Sequence, residues 1–144
     1  MKRKPGENHM TKRSIGIAVA AAALVLCAAP AAPAAPARDG PPPAAIVNMT
    51  FGLKFDPPQV RVRVGEAVEW RNKAIFKHTV TFDPSKAADP SRVVLPAGAE
   101  PFDSGEIDGG KSWRHVFTVP GRYEYVCRPH EDHEMRGVVI VTPR

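Results

Sequence analysis

Residues 121–141 read Gly121-Arg122-Tyr123-Glu124-Tyr125-Val126-Cys127-Arg128-Pro129-His130-Glu131-Asp132-His133-Glu134-Met135-Arg136-Gly137-Val138-Val139-Ile140-Val141. In the first part, Tyr123, Tyr125 and Cys127 fall on one face and Glu124 and Val126 on the other, the period of a β-strand. Val138 to Val141 is an unbroken β-branched run that suits a buried strand. Between the two lies the spacing Cys-x2-His-x4-Met, so one thiol, one imidazole and one thioether occupy a short connection. A loop of this size between two strands can aim all three side chains at one point.

A fourth donor must come from elsewhere, and His78 is the candidate. It opens the alternating set His78, Val80, Phe82, read here as a strand. Working outward, Val60, Val62 and Val64 alternate with Arg61 and Arg63, Gly65-Glu66 makes a turn, and Val68 and Trp70 resume the alternation. Trp113, His115 and Phe117 alternate again, and Pro120-Gly121 is a turn signal. Residues 83–101 carry Pro84, Pro90, Pro96 and Pro101 and read as a long connection with a short helix or turn inside it. No stretch after residue 37 has helical periodicity. Several short strands separated by turns predict an all-β fold, a two-sheet Greek-key β-sandwich over residues 45–144.

The donor set decides the chemistry. Thiolate and thioether are soft ligands that suit Cu(I), and imidazole accepts both copper oxidation states. Two His, one Cys and a weak axial Met is the set found in blue-copper electron-transfer sites. His78, Cys127, His130 and Met135 are therefore the expected ligands of one type 1 copper ion. Zinc also binds His and Cys and can occupy such a site in a recombinant preparation. His115 and the aromatic residues Trp70, Tyr123 and Tyr125 are read as structural, and His133 as a surface residue rather than an alternative ligand.

With these residues in view, the chain resembles the cupredoxins, in particular the plastocyanin, pseudoazurin and amicyanin group. The likeness runs from Phe55 to Val141. It rests on Phe55-x-Pro57-Pro58-x-Val60-x-Val62-x-Val64-Gly65-x-x-Val68-x-Trp70-x-Asn72, on His78-Thr79-Val80, on Phe102-x-Ser104-Gly105, and on Gly121-x-Tyr123-x-Tyr125-x-Cys127-x-Pro129-His130. The resemblance implies that Cys127 is the thiolate ligand, His78 and His130 the imidazole ligands, Met135 the long axial ligand, and His130 the electron port near the surface. Two positions depart from the pattern. Thr79 stands where relatives commonly have Asn, and Ala74 where many have Asp.

The front of the chain is different in kind. Lys2, Arg3, Lys4, Lys12 and Arg13 face a single acid, Glu7, and an uncharged apolar run follows from Ile15 to Ala29. Small residues and prolines continue to Ala37. Residues 1–37 thus have the three parts of a secretory signal peptide, with cuts after Ala31, Ala34 or Ala37 all fitting. The apolar run falls short of the roughly 20 residues that span a bilayer core, so retention as a membrane anchor is the lesser reading. A lipoprotein signal ending at Cys27 fits poorly, because Leu26 is large. Residues 38–44 read as a Pro/Ala-rich linker. The expected location is exported and periplasmic.

Export changes the charge argument. The chain carries 20 basic and 15 acidic residues, and without residues 1–37 there remain 15 and 14. The domain is nearly neutral and lacks the concentrated basic face that nucleic-acid binding needs. It would keep one cysteine, Cys127, which cannot form an internal disulfide and in an oxidising compartment is a liability unless a metal occupies it. An enzyme is not expected. A multicopper oxidase needs further domains with His-x-His pairs, and a binuclear copper site needs a second cysteine in the loop. The expected function is a monomeric one-electron carrier serving a cytochrome, dehydrogenase or reductase that docks near His130. Copper trafficking or storage is the alternative. The run Glu131-Asp132-His133-Glu134 suggests a charged docking surface whose rates fall as salt rises.

Overall fold

Period-two patterning becomes strands in the computed structural model, which describes residues 41–144. The signal segment, Cys27 and the first residues of the linker lie outside the described residues. Among the described residues seven strands form: β1 (Ala45–Met49), β2 (Phe55–Asp56), β3 (Gln59–Arg63), β4 (Ala67–Asn72), β5 (Ser112–Val116), β6 (Gly121–Val126) and β7 (Arg136–Thr142). They make two sheets, ordered β2-β1-β4-β5 and β3-β7-β6. Both sheets are mixed. β1 runs parallel to β4 with Val47 opposite Trp70, and β3 runs parallel to β7 with Val60 opposite Val139. β4 pairs antiparallel with β5, and β6 with β7. The all-β two-sheet sandwich expected from the sequence is the fold that forms.

The inward sets of the two sheets meet in one core. Trp70, Tyr125, Phe82 and Phe117 are its largest fully buried side chains, each worth about 1.5–3 kcal/mol of burial. Trp70 and Tyr125 cross edge to face at 5.6 Å, and the Trp70 Nε1–H donates to the Tyr125 hydroxyl at 2.9 Å. The second contact gives each buried polar atom a partner, which a core of this density requires. A side chain at Gly137 would run into the Tyr125 ring and hydroxyl. Glycine there lets β7 pass close over the tyrosine.

Three details go beyond the alternating pattern. The segment from His78 to Phe82 is extended, and all five of its residues are buried. Its backbone is hydrogen-bonded on both sides, with His78 and Ile107 exchanging bonds on one and Thr81 and Val126 on the other. Polar residues at 79 and 81 are therefore interior, and the alternation exposes nothing. In β4, Glu69 lies opposite the Trp70 face yet is 2% exposed. Arg71 and Arg114 meet its two carboxylate oxygens at 2.7 and 3.2 Å, which compensates its burial. In β5, Trp113 and His115 are half-buried, and the His115 ring stacks on Phe102 with centroids 3.7 Å apart.

The long connection is organised by a repeated local device. Asp83-Pro84-Ser85 and Asp89-Pro90-Ser91 each open a 3₁₀ turn, Pro84–Lys86 and Pro90–Arg92. In both, the aspartate accepts the serine N–H at 3.0 Å. Proline at the first turn position loses no needed donor.

Candidate metal centre

Two chain segments supply the candidate donors, and each side chain there has a local reason for its position. β6 ends at Val126, and Cys127 caps a 3₁₀ turn over Arg128–His133, with Pro129 inside it and a break in helical geometry at His130 (φ −132°, ψ 25°). The His130 N–H bonds back to the Cys127 carbonyl at 3.0 Å, and the Cys127 N–H donates to the Met135 carbonyl at 2.9 Å. The loop thus closes on itself, with Cys127 and Met135 at its neck. Glu134 takes a left-handed conformation (φ 57°) to make that closure.

His78 is supplied from across the core. Asn72, at the end of β4, is buried and spends its whole amide on the approach to it. Its Nδ2 donates to the Phe76 and Ile107 carbonyls at 2.8 and 2.9 Å, and its Oδ1 accepts the Ala74 N–H at 2.9 Å. Ala74 is itself buried. Position 74 is thus filled by a small residue whose N–H is held by Asn72.

The donors converge. His78 Nδ1 lies 3.4 Å from Cys127 Sγ and His130 Nδ1 lies 3.3 Å from the same sulfur. One ligand atom from each of the three residues falls within 4.8 Å of the others. His78 and Cys127 are fully buried and His130 is half-buried. Met135 is 1% exposed and packs in the core cluster that contains Cys127. His133 is exposed and stands outside the group. His115, as expected from the sequence, is a packing residue.

Burial sets the protonation of this group. It pushes the His78 imidazole down to about 4, with the neighbouring His130 acting in the same direction. His78 Nε2 has no hydrogen bond of acceptable geometry, although the Thr50 backbone is close enough to oppose the burial effect weakly. His130 is lowered by burial and then by His133. Both rings are therefore neutral at pH 7, with a lone pair free. Burial raises the Cys127 thiol to about 11, against the pull of hydrogen bonds from Thr79 and His130.

Thr79 ties the thiol to the start of the loop. Its backbone N–H donates to Cys127 Sγ at 3.3 Å, and its hydroxyl accepts the Arg128 N–H at 2.9 Å. That hydroxyl also contacts Thr81 Oγ1 at 3.2 Å, and Thr81 donates to Asp103 Oδ1 at 3.0 Å. The other Asp103 oxygen faces Lys86 and Arg128 at 3.1 and 3.4 Å. Asp103 and Thr81 carry no motif of their own, and neither is legible from strand patterning alone.

The acidic run after His130 is less of a surface charge than the sequence suggests. Glu131 turns inward, 6% exposed, and accepts backbone N–H groups from Ala88 and Asp89. Glu134 is paired with Arg92 and Arg136. Asp132 and His133 remain exposed. On another side of the His130 ring stands Phe76, edge-on at 5.6 Å, followed in turn by Phe51 at 6.0 Å from Phe76. Phe51, Phe76 and the adjacent Ile75 are exposed, Ile75 by 83%.

The profile of copper-binding proteins, plastocyanin/azurin family, matches residues 45–142. The chain belongs to that family. This cupredoxin is 34% identical over 129 residues to the chloroplastic plastocyanin of Tetradesmus obliquus, an alignment covering 90% of this chain and 79% of the relative. It is 30% identical over 129 residues to amicyanin-alpha of Methylorubrum extorquens, covering 90% and 98%. Among solved structures it is similar to a Met-to-Ala mutant of amicyanin in its Cu(I) form, with a TM-score of 0.56, 29% identity, and 72% and 87% of the two chains covered. Copper is the cofactor of this cupredoxin, and the donor chemistry fits it: two neutral imidazoles and a buried thiol converge, with a buried thioether at the neck of the same loop.

Proposed function

We propose that His78, Cys127, His130 and Met135 hold one copper ion, and that the protein carries single electrons between redox proteins that dock at the His130 end. The convergence of His78 Nδ1, Cys127 Sγ and His130 Nδ1 within 4.8 Å carries this reading. Copper held there supplies one-electron chemistry between Cu(II) and Cu(I). The protein's part is to keep the donors fixed, dry and in the right protonation state. Neutral His78 and His130 present lone pairs at pH 7 without loss of a proton. Cys127 would give up its proton on binding copper, and the Thr79 N–H would stabilise the thiolate. Asn72 and the Thr79–Thr81–Asp103 chain hold the two His-bearing and Cys-bearing segments against each other, so that little rearranges when charge changes.

His130 is the half-buried member of the set, beside the exposed side chains of Phe76, Ile75 and Phe51. That makes it the port, and an apolar contact the means of docking. A cytochrome, dehydrogenase or reductase is the class of partner the family likeness suggests. Residues 1–37 act as an export signal in this reading, which places the mature protein in the periplasm. Among the described residues no helix is long and apolar enough to cross a membrane.

The deciding experiment adds Cu(II) to the purified protein and records visible and spin-resonance spectra. Intense thiolate-to-copper absorption that bleaches on reduction and is absent from Cys127→Ser supports the carrier. A colourless protein that passes Cu(I) to an acceptor overturns it in favour of copper delivery.

A further inference from the structure

The segment that carries His130 and Met135 is braced from outside by the connection that precedes it in space. The Glu131 carboxylate receives the Ala88 N–H at 3.0 and 3.1 Å and the Asp89 N–H at 3.2 Å. In return, Arg92 Nη1 donates to the Glu131 carbonyl at 3.2 Å and meets the Glu134 carboxylate at 2.8 Å, while its Nε meets Asp89 at 3.2 Å. The contacts fall immediately after His130 and immediately before Met135. The brace is itself anchored, because Val93 is buried and Val94 exchanges two backbone bonds with Glu124 of β6. A loop with a non-helical break at His130 and a left-handed residue at 134 would otherwise have alternative conformations of similar energy. A buried carboxylate taking two backbone donors is a costly thing to keep without a positional role.

We propose that Glu131 and Arg92 are positioning residues of the metal centre, strapping the 128–135 loop to the 87–94 connection so that His130 and Met135 are held in place before metal arrives. This rests on His130 and Met135 being copper ligands. The strap acts on the rate of metal loss and on the electronic environment of the site, since residues that orient ligands typically change metal affinity about 10–100-fold when removed.

The test uses Glu131→Ala, Glu131→Gln and Arg92→Ala in the whole protein. In the metal-free state, hydrogen exchange at Ala88, Asp89 and residues 128–135 is expected to quicken at least about tenfold in Glu131→Ala, with β3 and β7 unchanged. In the copper-loaded state, Glu131→Ala and Arg92→Ala lose Cu(II) to a chelator about 10–100-fold faster, with an altered thiolate-to-copper spectrum. Glu131→Gln retains one acceptor oxygen and falls between them and wild type. Arg92 is 29% exposed, so Arg92→Ala decides the matter if Glu131→Ala does not fold. Wild-type spectra and dissociation rates in folded variants overturn the strap alone. A wild-type protein with no thiolate-to-copper band overturns the ligand assignment, and this inference with it.

Discussion

The Thr79 N–H points at the Cys127 sulfur from 3.3 Å, and the Thr79 hydroxyl takes the N–H of the next residue, Arg128, at 2.9 Å. One residue therefore ties the His78 segment to the start of the ligand loop twice. Thr79→Val keeps the shape and the first bond but leaves the Arg128 N–H without its acceptor. Urea unfolding of the metal-free protein should show a loss of about 1–3 kcal/mol for Thr79→Val. Thr79→Ser, which keeps the hydroxyl, should lose less than about 1 kcal/mol. Equal losses would show that the methyl group, not the hydroxyl, matters at this position.

The Trp70–Tyr125 bond sits in the fully buried core. Tyr125→Phe removes the acceptor and leaves an indole N–H buried with no partner, at a cost of about 1–3 kcal/mol. Trp70→Phe costs more, because it also leaves a cavity. In a double-mutant cycle the two should couple by about 1 kcal/mol or more, since the second change removes the group stranded by the first. Additive losses would mean that the bond contributes nothing beyond packing.

His115 predicts an acid-sensitive increment of stability. Burial against Phe102 and Trp113 pushes its pKa down to about 4, whereas in the unfolded chain it titrates near 6.5. The unfolded state thus binds a proton first as pH falls. Stability from this residue is complete above about pH 6.5 and is lost on the way down to about pH 4. The ring is partly exposed, so the loss should be about 1–2 kcal/mol rather than the full linkage value. His78 and His130 shift in the same direction in the metal-free protein. The measurement is therefore the difference between wild type and His115→Phe in urea midpoints from pH 7 to pH 4. A difference that does not change with pH refutes the assignment.

The proposed docking through Phe51, Ile75 and Phe76 can be tested without an identified partner. On that proposal, electron self-exchange between the protein's own Cu(I) and Cu(II) forms would bring two copies of this face together. With Glu131 buried and Glu134 paired, its rate should change by less than about threefold between roughly 10 and 300 mM salt, a range over which exposed charges are strongly screened. Ile75→Lys should slow it at low salt and make it salt-dependent. NMR line broadening of a mixed-valence sample reports both. A steep salt dependence in wild type would restore the charged docking surface suggested by the run from Glu131 to Glu134.

The strands and the donor set were readable because both are local patterns. Alternation at Val60, Val62, Tyr123 and Tyr125 marks one face of a sheet, and Cys-x2-His-x4-Met places three donors in one short loop. The burial of Glu69 and Glu131 is not legible in the sequence, and the run from Glu131 suggests surface charge, because exposure is not a local property. Each is buried by segments distant in sequence, Arg114 in one case and Ala88 and Asp89 in the other. His78 lies with Cys127 and His130 in an extended segment, as the sequence leads one to expect, but the burial of that segment between residues near 107 and 126 is not written in its own pattern.

By itself, then, the sequence determined the all-β class, the nature of the four donors and their order along the chain, because side-chain chemistry and period-two burial are written residue by residue. Only the tertiary structure decided that the Thr79 N–H faces the Cys127 sulfur, that Asp103 and Asn72 bond to the segments bearing His78 and Cys127, and that Glu131 turns inward while Glu134 pairs. Those outcomes depend on which backbone N–H groups and guanidinium groups from remote segments are left to satisfy a buried oxygen, and that is settled only when the sheets have packed.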